Sequence, residues 1–152
     1  MATNHVIIVP VTASPASLDA VTLACVLGKQ RKSKVYAVHV IEVLRSLPLS
    51  AELETDARRG EQVLRRAEEI ASAAGFHIEG ELLQAREAGQ AIVDEVRDRS
   101  ADTVVLGVGA ERLLGDFSMG RTAEFVLRHS LAEVIVVRHS AATKHDDEHE
   151  HD

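Results

Sequence analysis

The chain has 152 residues, enough for one domain with a real core, and its composition, 45% hydrophobic but only 3% aromatic, leaves Val, Leu, Ile and Ala to build that core. The net charge of −7 argues against a nucleic-acid partner, since neutralising a phosphate backbone needs clustered Lys and Arg. The last eight residues, HDDEHEHD, hold five of the 24 acidic side chains and no Lys or Arg, so the remainder, 17 basic against 19 acidic, is close to neutral.

In chain order, Val6 to Val11 (VIIVPV) is a short, β-branched, almost wholly apolar run, the pattern of a strand buried on both faces. Ser14 followed by Pro15 reads as an N-cap with proline at the first helical position, and Leu18, Val21, Thr22 and Cys25 repeat at helical spacing up to Gly28. A second buried strand is predicted over Val35 to Val43 (VYAVHVIEV), then a helix over Ala51 to Ala74 with Gly60, Val63, Leu64, Ala67, Ile70, Ala71 and Ala74 on one stripe. Ile78 to Leu83 alternates as a weaker strand, and Ile92, Val93 and Val96 mark a shorter helix. Thr103 to Leu106 (TVVL), a helix over Thr122 to His129, and Val134 to Val137 (VIVV) complete the pattern.

Strands alternating with helices predict an α/β fold, a five-stranded parallel sheet wound on both faces, with right-handed crossovers. In such sheets ligands bind beyond the carboxyl ends of the strands, where the strand order reverses. One domain is expected over residues 1–141, with 142–152 a disordered tail too polar to pack. No run of eighteen apolar residues occurs and MATNHVIIVPV has no basic region before its apolar segment, so a cytoplasmic protein without membrane insertion is expected. Cys25 stands alone, on the apolar stripe of the first helix, and is read as a core residue.

The stretch after the fourth strand, GVGAERLLGDFSMGRT, holds four glycines in sixteen residues: Gly107, Gly109, Gly115 and Gly120. Glycines at such a corner serve either a phosphate cradle or a tight turn; Gly115 and Asp116, mid-loop, are read as a turn. Arg121 at the start of the last helix is either a phosphate ligand or a solvated first-turn side chain. A Walker A loop and a G-x-G-x-x-G after the first strand are both absent. His39 sits in an apolar strand with no Ser, Cys or carboxylate set beside it by spacing, so it is read as structural and no triad is predicted. His145, His149 and His151 interleave with acids and are read as part of a solvated tail rather than a metal site.

Gly107, a small residue at 110, nine further residues and Gly120 before TAEFVLRHS and VIVV, with Pro10 closing the first strand and His39–Val40 closing the second, resemble the universal stress proteins over residues 5 to 139. The resemblance implies the strand order 3-2-1-4-5 and a site for an adenine nucleotide such as ATP or AMP, with Mg²⁺ brought by its phosphates. Adenine would lie near Val40, ribose near Pro10 and Gly107, and phosphates along the loop and the last helix. The residues implicated are Pro10, Val11, Thr12, Val40, Gly107, Gly109, Ala110, Gly120, Arg121 and Thr122. The nucleotide-binding branch reads G-x2-G-x9-G-[ST] and carries an aspartate after the first strand; this chain has Ala110, Arg121 and Thr12 at those places. Thr122, one position later, offers the hydroxyl that Arg121 removes.

The resemblance also implies a homodimer in which Val134, Ile135, Val136 and Val137 pair with their mates. Two kinds of function follow. One is a stress-response sensor that works through nucleotide occupancy, with no dedicated catalysis; the other is a nucleotide-free dimeric module that binds an unknown protein partner or regulates a membrane transporter.

Overall fold

A computed structural model of the chain describes residues 5–109, 112–113, 116–117 and 119–139. Its main sheet comprises β1 (His5–Pro10), β2 (Ser33–Glu42), β3 (Glu79–Ala85), β4 (Thr103–Val108) and β7 (Glu133–Arg138), all parallel, in the order β3-β2-β1-β4-β7. Two-residue strands β5 (Arg112–Leu113) and β6 (Asp116–Phe117) pair antiparallel inside the glycine-rich stretch, so Asp116 stands opposite Leu113 in a ladder rather than in the expected turn; Gly115 lies outside the described residues.

The helices are α1 (Pro15–Arg31), α2 (Glu54–Ala73), α3 (Ala88–Asp98) and α4 (Arg121–His129). Each central strand is apolar on both pleats because each face is covered. Ile7, Val9, Val35, Ala37 and Val105 pack with α1 and α2, whereas Val6, Ile8, Val38, Val104 and Leu106 pack with Ile92 and Val96 of α3 and Ala123 and Val126 of α4. Chain order therefore reverses between β1 and β4, the two strands that start the two halves of the sheet.

Short-range chemistry sets the start of α1. Ser14 caps α1, accepting the Ser17 N–H at 3.3 Å, with Pro15 in the first turn. The expected stop at Gly28 is a different feature. Helix α1 continues to Arg31 and ends on Lys32 at φ 54°, while a Cβ on Gly28 would lie 2.7 Å from the Phe76 ring. Gly28 admits Phe76 against the helix; it does not end it. Helix α2 begins at Glu54, three residues after the expected start, because Ala51 turns back on the Pro48 carbonyl. The segment before it is strapped to β3 by Gln84, which donates to the carbonyls of Leu49 and Ala51.

Candidate functional site

Beyond the carboxyl ends of β1 and β4 lies a cleft of about 210 Å³. Pro10, Val11, Thr12, Val40, Gly107, Gly120, Arg121 and Thr122, eight of the ten implicated residues, line it together. Gly109 follows β4 and is outside the lining, and Ala110 lies outside the described residues. The structure adds Val38, Ala88, Ile92, Leu106, Met119 and Ala123, which close the walls and have no sequence signal for this role, and Ser17, which contributes a buried hydroxyl.

The two outer glycines of the stretch do different work. A Cβ on Gly107 would stand 2.1 Å from the Ala16 carbonyl oxygen and 2.8 Å from the Ser17 nitrogen, so this glycine lets the first turn of α1 lie directly on β4. Gly107 therefore seats α1 on β4 and also lines the cleft. Gly120 has open space around it, but its φ of 87° and ψ of 158° fall in a region that is essentially glycine-only. That conformation turns the chain into α4, whose first N–H groups lack intrahelical acceptors and point their partial positive charge toward the cleft. Arg121 is exposed and makes no ion pair among the described residues. A cation at this end of a helix is unfavourable by about 0.3–1 kcal/mol, a cost that a bound anion removes.

Thr12 and Ser17, which line the cleft, form a ring of three hydroxyls with Ser14. Thr12 Oγ1 donates to Ser14 Oγ at 3.0 Å, Ser14 Oγ to Ser17 Oγ at 3.4 Å, and Ser17 Oγ closes the ring on Thr12 Oγ1 at 3.0 Å. Each oxygen also receives a backbone N–H: Ser17 Oγ from Thr12 at 2.9 Å, Thr12 Oγ1 from Ser14 at 3.2 Å, and Ser14 Oγ from Ser17 at 3.3 Å. The T-x-S-x-x-S spacing, a variant of the capping box, is the signal that points to Ser17.

His39 is structural, as its surroundings in the sequence suggest. Its Nδ1–H donates to the Val11 carbonyl at 2.8 Å, an acceptor left over where β1 ends, and its ring is pressed against Gly60 of α2. Cys25 is buried in the core, where loss of solvation pushes its thiol up from the ordinary range.

A second hollow of about 260 Å³ adjoins the cleft and shares Arg121 and Thr122 with it. Glu42 lines it and caps α3 from outside, accepting the Ala88 N–H at 2.8 Å in place of a side-chain cap from Glu87. Neither space alone reaches the roughly 300–1,000 Å³ usual for small-ligand sites, but joined they do. A larger hollow of about 420 Å³ near the β3 edge is a weaker candidate, since Arg86 there is committed to the carbonyls of Leu44 and Leu47 at 2.6 and 2.8 Å. Among the described residues no three His, Cys, Asp or Glu side chains gather as a metal site, and no helix is long and apolar enough to cross a membrane.

Residues 3–138 of the chain match a model of the universal stress protein family. The chain belongs to that family. A curated universal stress protein of Methanocaldococcus jannaschii is 28% identical over 138 residues, covering 87% of this chain and 81% of the relative. The universal stress protein of Archaeoglobus fulgidus in complex with dAMP superposes with a TM-score of 0.71 at 21% identity, covering 90% of this chain and 98% of the other. Another universal stress protein, in complex with cAMP, gives 0.68 at 24% identity over 91% of this chain and all of the other. These structures share the five-stranded order seen here.

Proposed function

We propose that this universal stress protein binds an adenine nucleotide in the cleft between β1 and β4 and acts in a stress response through occupancy rather than turnover. The observation that carries the reading is the convergence, on one cleft, of a helix N-terminus with an exposed arginine and an apolar wall. The N-terminus of α4 and Arg121 suit a phosphate, and Val38, Val40, Ile92 and Leu106 suit a base. Relatives of the same fold hold dAMP and cAMP, which supports the ligand class. Any Mg²⁺ would be carried by the phosphates of a triphosphate, with Glu42 and Glu87 the carboxylates of the adjoining hollow. His39, committed to the Val11 carbonyl, is not placed as a general base, which agrees with a regulatory role.

The test is thermal unfolding with and without ATP, AMP and cAMP. A ligand at a hundred times its dissociation constant stabilises by about 2.7 kcal/mol, a shift of several degrees. No shift with any of them would remove the nucleotide reading and favour the protein-interaction module.

The homodimer belongs to the same proposal. Strand β7 ends the sheet, and Val136 is 37% exposed on it. Ile135 and Val137 pack toward α1 and α2 and Val134 toward the other face, so Val136 and the outer backbone edge are what remains to pair. Sedimentation of Val136→Lys is expected to show a shift toward monomer; an unchanged dimer would place the interface elsewhere.

A further inference from the structure

The chain carries one strongly charged segment that the nucleotide reading leaves without a role. Residues 145–152, HDDEHEHD, hold five carboxylates and no Lys or Arg, and they lie outside the described residues. The point from which they set out is well defined. His139, the last described residue, donates its backbone N–H to the Val108 carbonyl at 2.9 Å, and its Nδ1 meets Asp19 Oδ2 of α1 at 2.6 Å. Strand β7 runs beside β4 with Val137 level with Gly107, and Gly107 lines the cleft. The chain therefore leaves the sheet at its carboxyl end, on the strand next to β4. Asp146, the first of the five acids, comes seven residues after His139, an extended reach of up to about 23 Å. The cleft between β1 and β4 lies about 5–10 Å from β7 across the sheet.

The cleft presents the opposite charge. Arg121 is exposed and makes no ion pair among the described residues, and it stands at the N-terminus of α4, where the first N–H groups lack intrahelical acceptors. A carboxylate suits these groups for the reasons a phosphate does: it fits the fork of a guanidinium and the positive end of a helix. Other arginines are already engaged. Arg31 pairs with Glu133, Arg97 with Asp94, and Arg99 with Glu81 and Glu95, while Arg86 donates to the carbonyls of Leu44 and Leu47. Tethered this near, the acids stand at a local concentration of about millimolar order, so even a weak contact is populated.

We propose that the acidic segment 146–152 occupies the α4 end of the cleft in the unliganded protein, with its carboxylates on Arg121 and the first N–H groups of α4, and acts as a built-in competitor of the phosphate group. The contact in the free protein stands on charge and reach alone; the competition rests on the nucleotide reading above and adds regulation to it. A ligand with a phosphate must displace the segment, whereas adenosine need not.

The experiment uses the full chain and a variant in which Asp146→Asn, Asp147→Asn, Glu148→Gln, Glu150→Gln and Asp152→Asn are combined. In the absence of nucleotide, neutralisation should shift the backbone amide resonances of Arg121, Thr122 and Ala123. By calorimetric titration the neutralised chain should bind AMP about two- to tenfold more tightly than the wild type, the gain expected when a tethered competitor at one to ten times its dissociation constant is removed, and adenosine with unchanged affinity. In an Arg121→Ala background the same five substitutions should change AMP affinity by less than about twofold, because the local partner is gone and only a general charge effect would remain. Amides of 121–123 that do not move, or shifts confined to other basic residues such as Arg45 and Arg86, would overturn the contact, and an equal gain in AMP affinity with and without Arg121 would overturn the competition. If neither chain binds AMP, the nucleotide reading falls, and the amide shifts alone uphold or overturn the tail contact.

Discussion

At the amino end of the sheet, Arg31 from the last turn of α1 donates to Thr103 Oγ1 at 3.2 Å and to Glu133 Oε1 at 3.0 Å, and Thr103 donates to the same carboxylate at 2.9 Å. Asp102 there accepts the Val6 N–H at 2.8 Å. At the carboxyl end, Arg121 has no ion-pair partner among the described residues, and three hydroxyls bond one another. Both ends are polar, but of these bonds only those at the amino end cross between the two halves of the sheet. At the amino end opposite charges are matched within the protein, so the groups serve the fold. At the carboxyl end no such match to Arg121 is found among the described residues, the condition that the proposed anion site requires.

The contrast can be broken most forcefully at Gly107. Gly107→Ala would drive a Cβ into the backbone of α1 at Ala16, where no side chain can yield, and a loss of about 3 kcal/mol or more is expected in urea unfolding. A loss below about 1 kcal/mol would mean that α1 is not seated on β4 as described. Gly120→Ala meets no neighbour, so only its backbone conformation resists, at about 1–3 kcal/mol by the same measurement. An unaffected midpoint would show that the chain enters α4 by another route.

Arg121→Ala sharpens the comparison by separating binding from stability. The unliganded protein should unfold at the wild-type midpoint or slightly above it, since a cation leaves the positive end of α4. AMP affinity should fall about tenfold and adenosine affinity hardly at all, as read by titration. Equal weakening of both ligands would take Arg121 away from the phosphate.

The smallest effect is expected at Glu133, the amino-end counterpart. The Thr103 hydroxyl first, and then the Arg31 guanidinium, hold its carboxyl below the ordinary value. A lowered folded value stabilises the protein above the unfolded value, about 4.3, and the contribution disappears as the pH falls through the folded one. Glu133→Gln should therefore melt slightly below the wild type at neutral pH, with the gap closing as the pH drops under about 4. A gap that persists in acid would mean that the carboxylate does not act through its charge.

The sequence by itself determined the layers of this protein. Apolar runs such as VIIVPV and TVVL are buried on both faces wherever they sit in a doubly covered parallel sheet, and Ser14–Pro15 starts a helix through bonds made within four residues. The cleft's position followed from the same alternation, since strand ends at a reversal of chain order are open in any such fold. Only the tertiary structure decided what the individual polar and glycine residues do. Gly28 looks like a helix stop until Phe76, distant in the chain, is found against it, and that Gly107 seats α1 on β4 shows only when Ala16 is found beside it. Thr12 looks like a lost carboxylate until Ser14 and Ser17 close a ring with it. Periodicity records which side of an element is buried; whether a glycine or a hydroxyl serves the fold or a ligand depends on which atoms from elsewhere in the chain come within hydrogen-bonding or contact distance, and folding alone sets that.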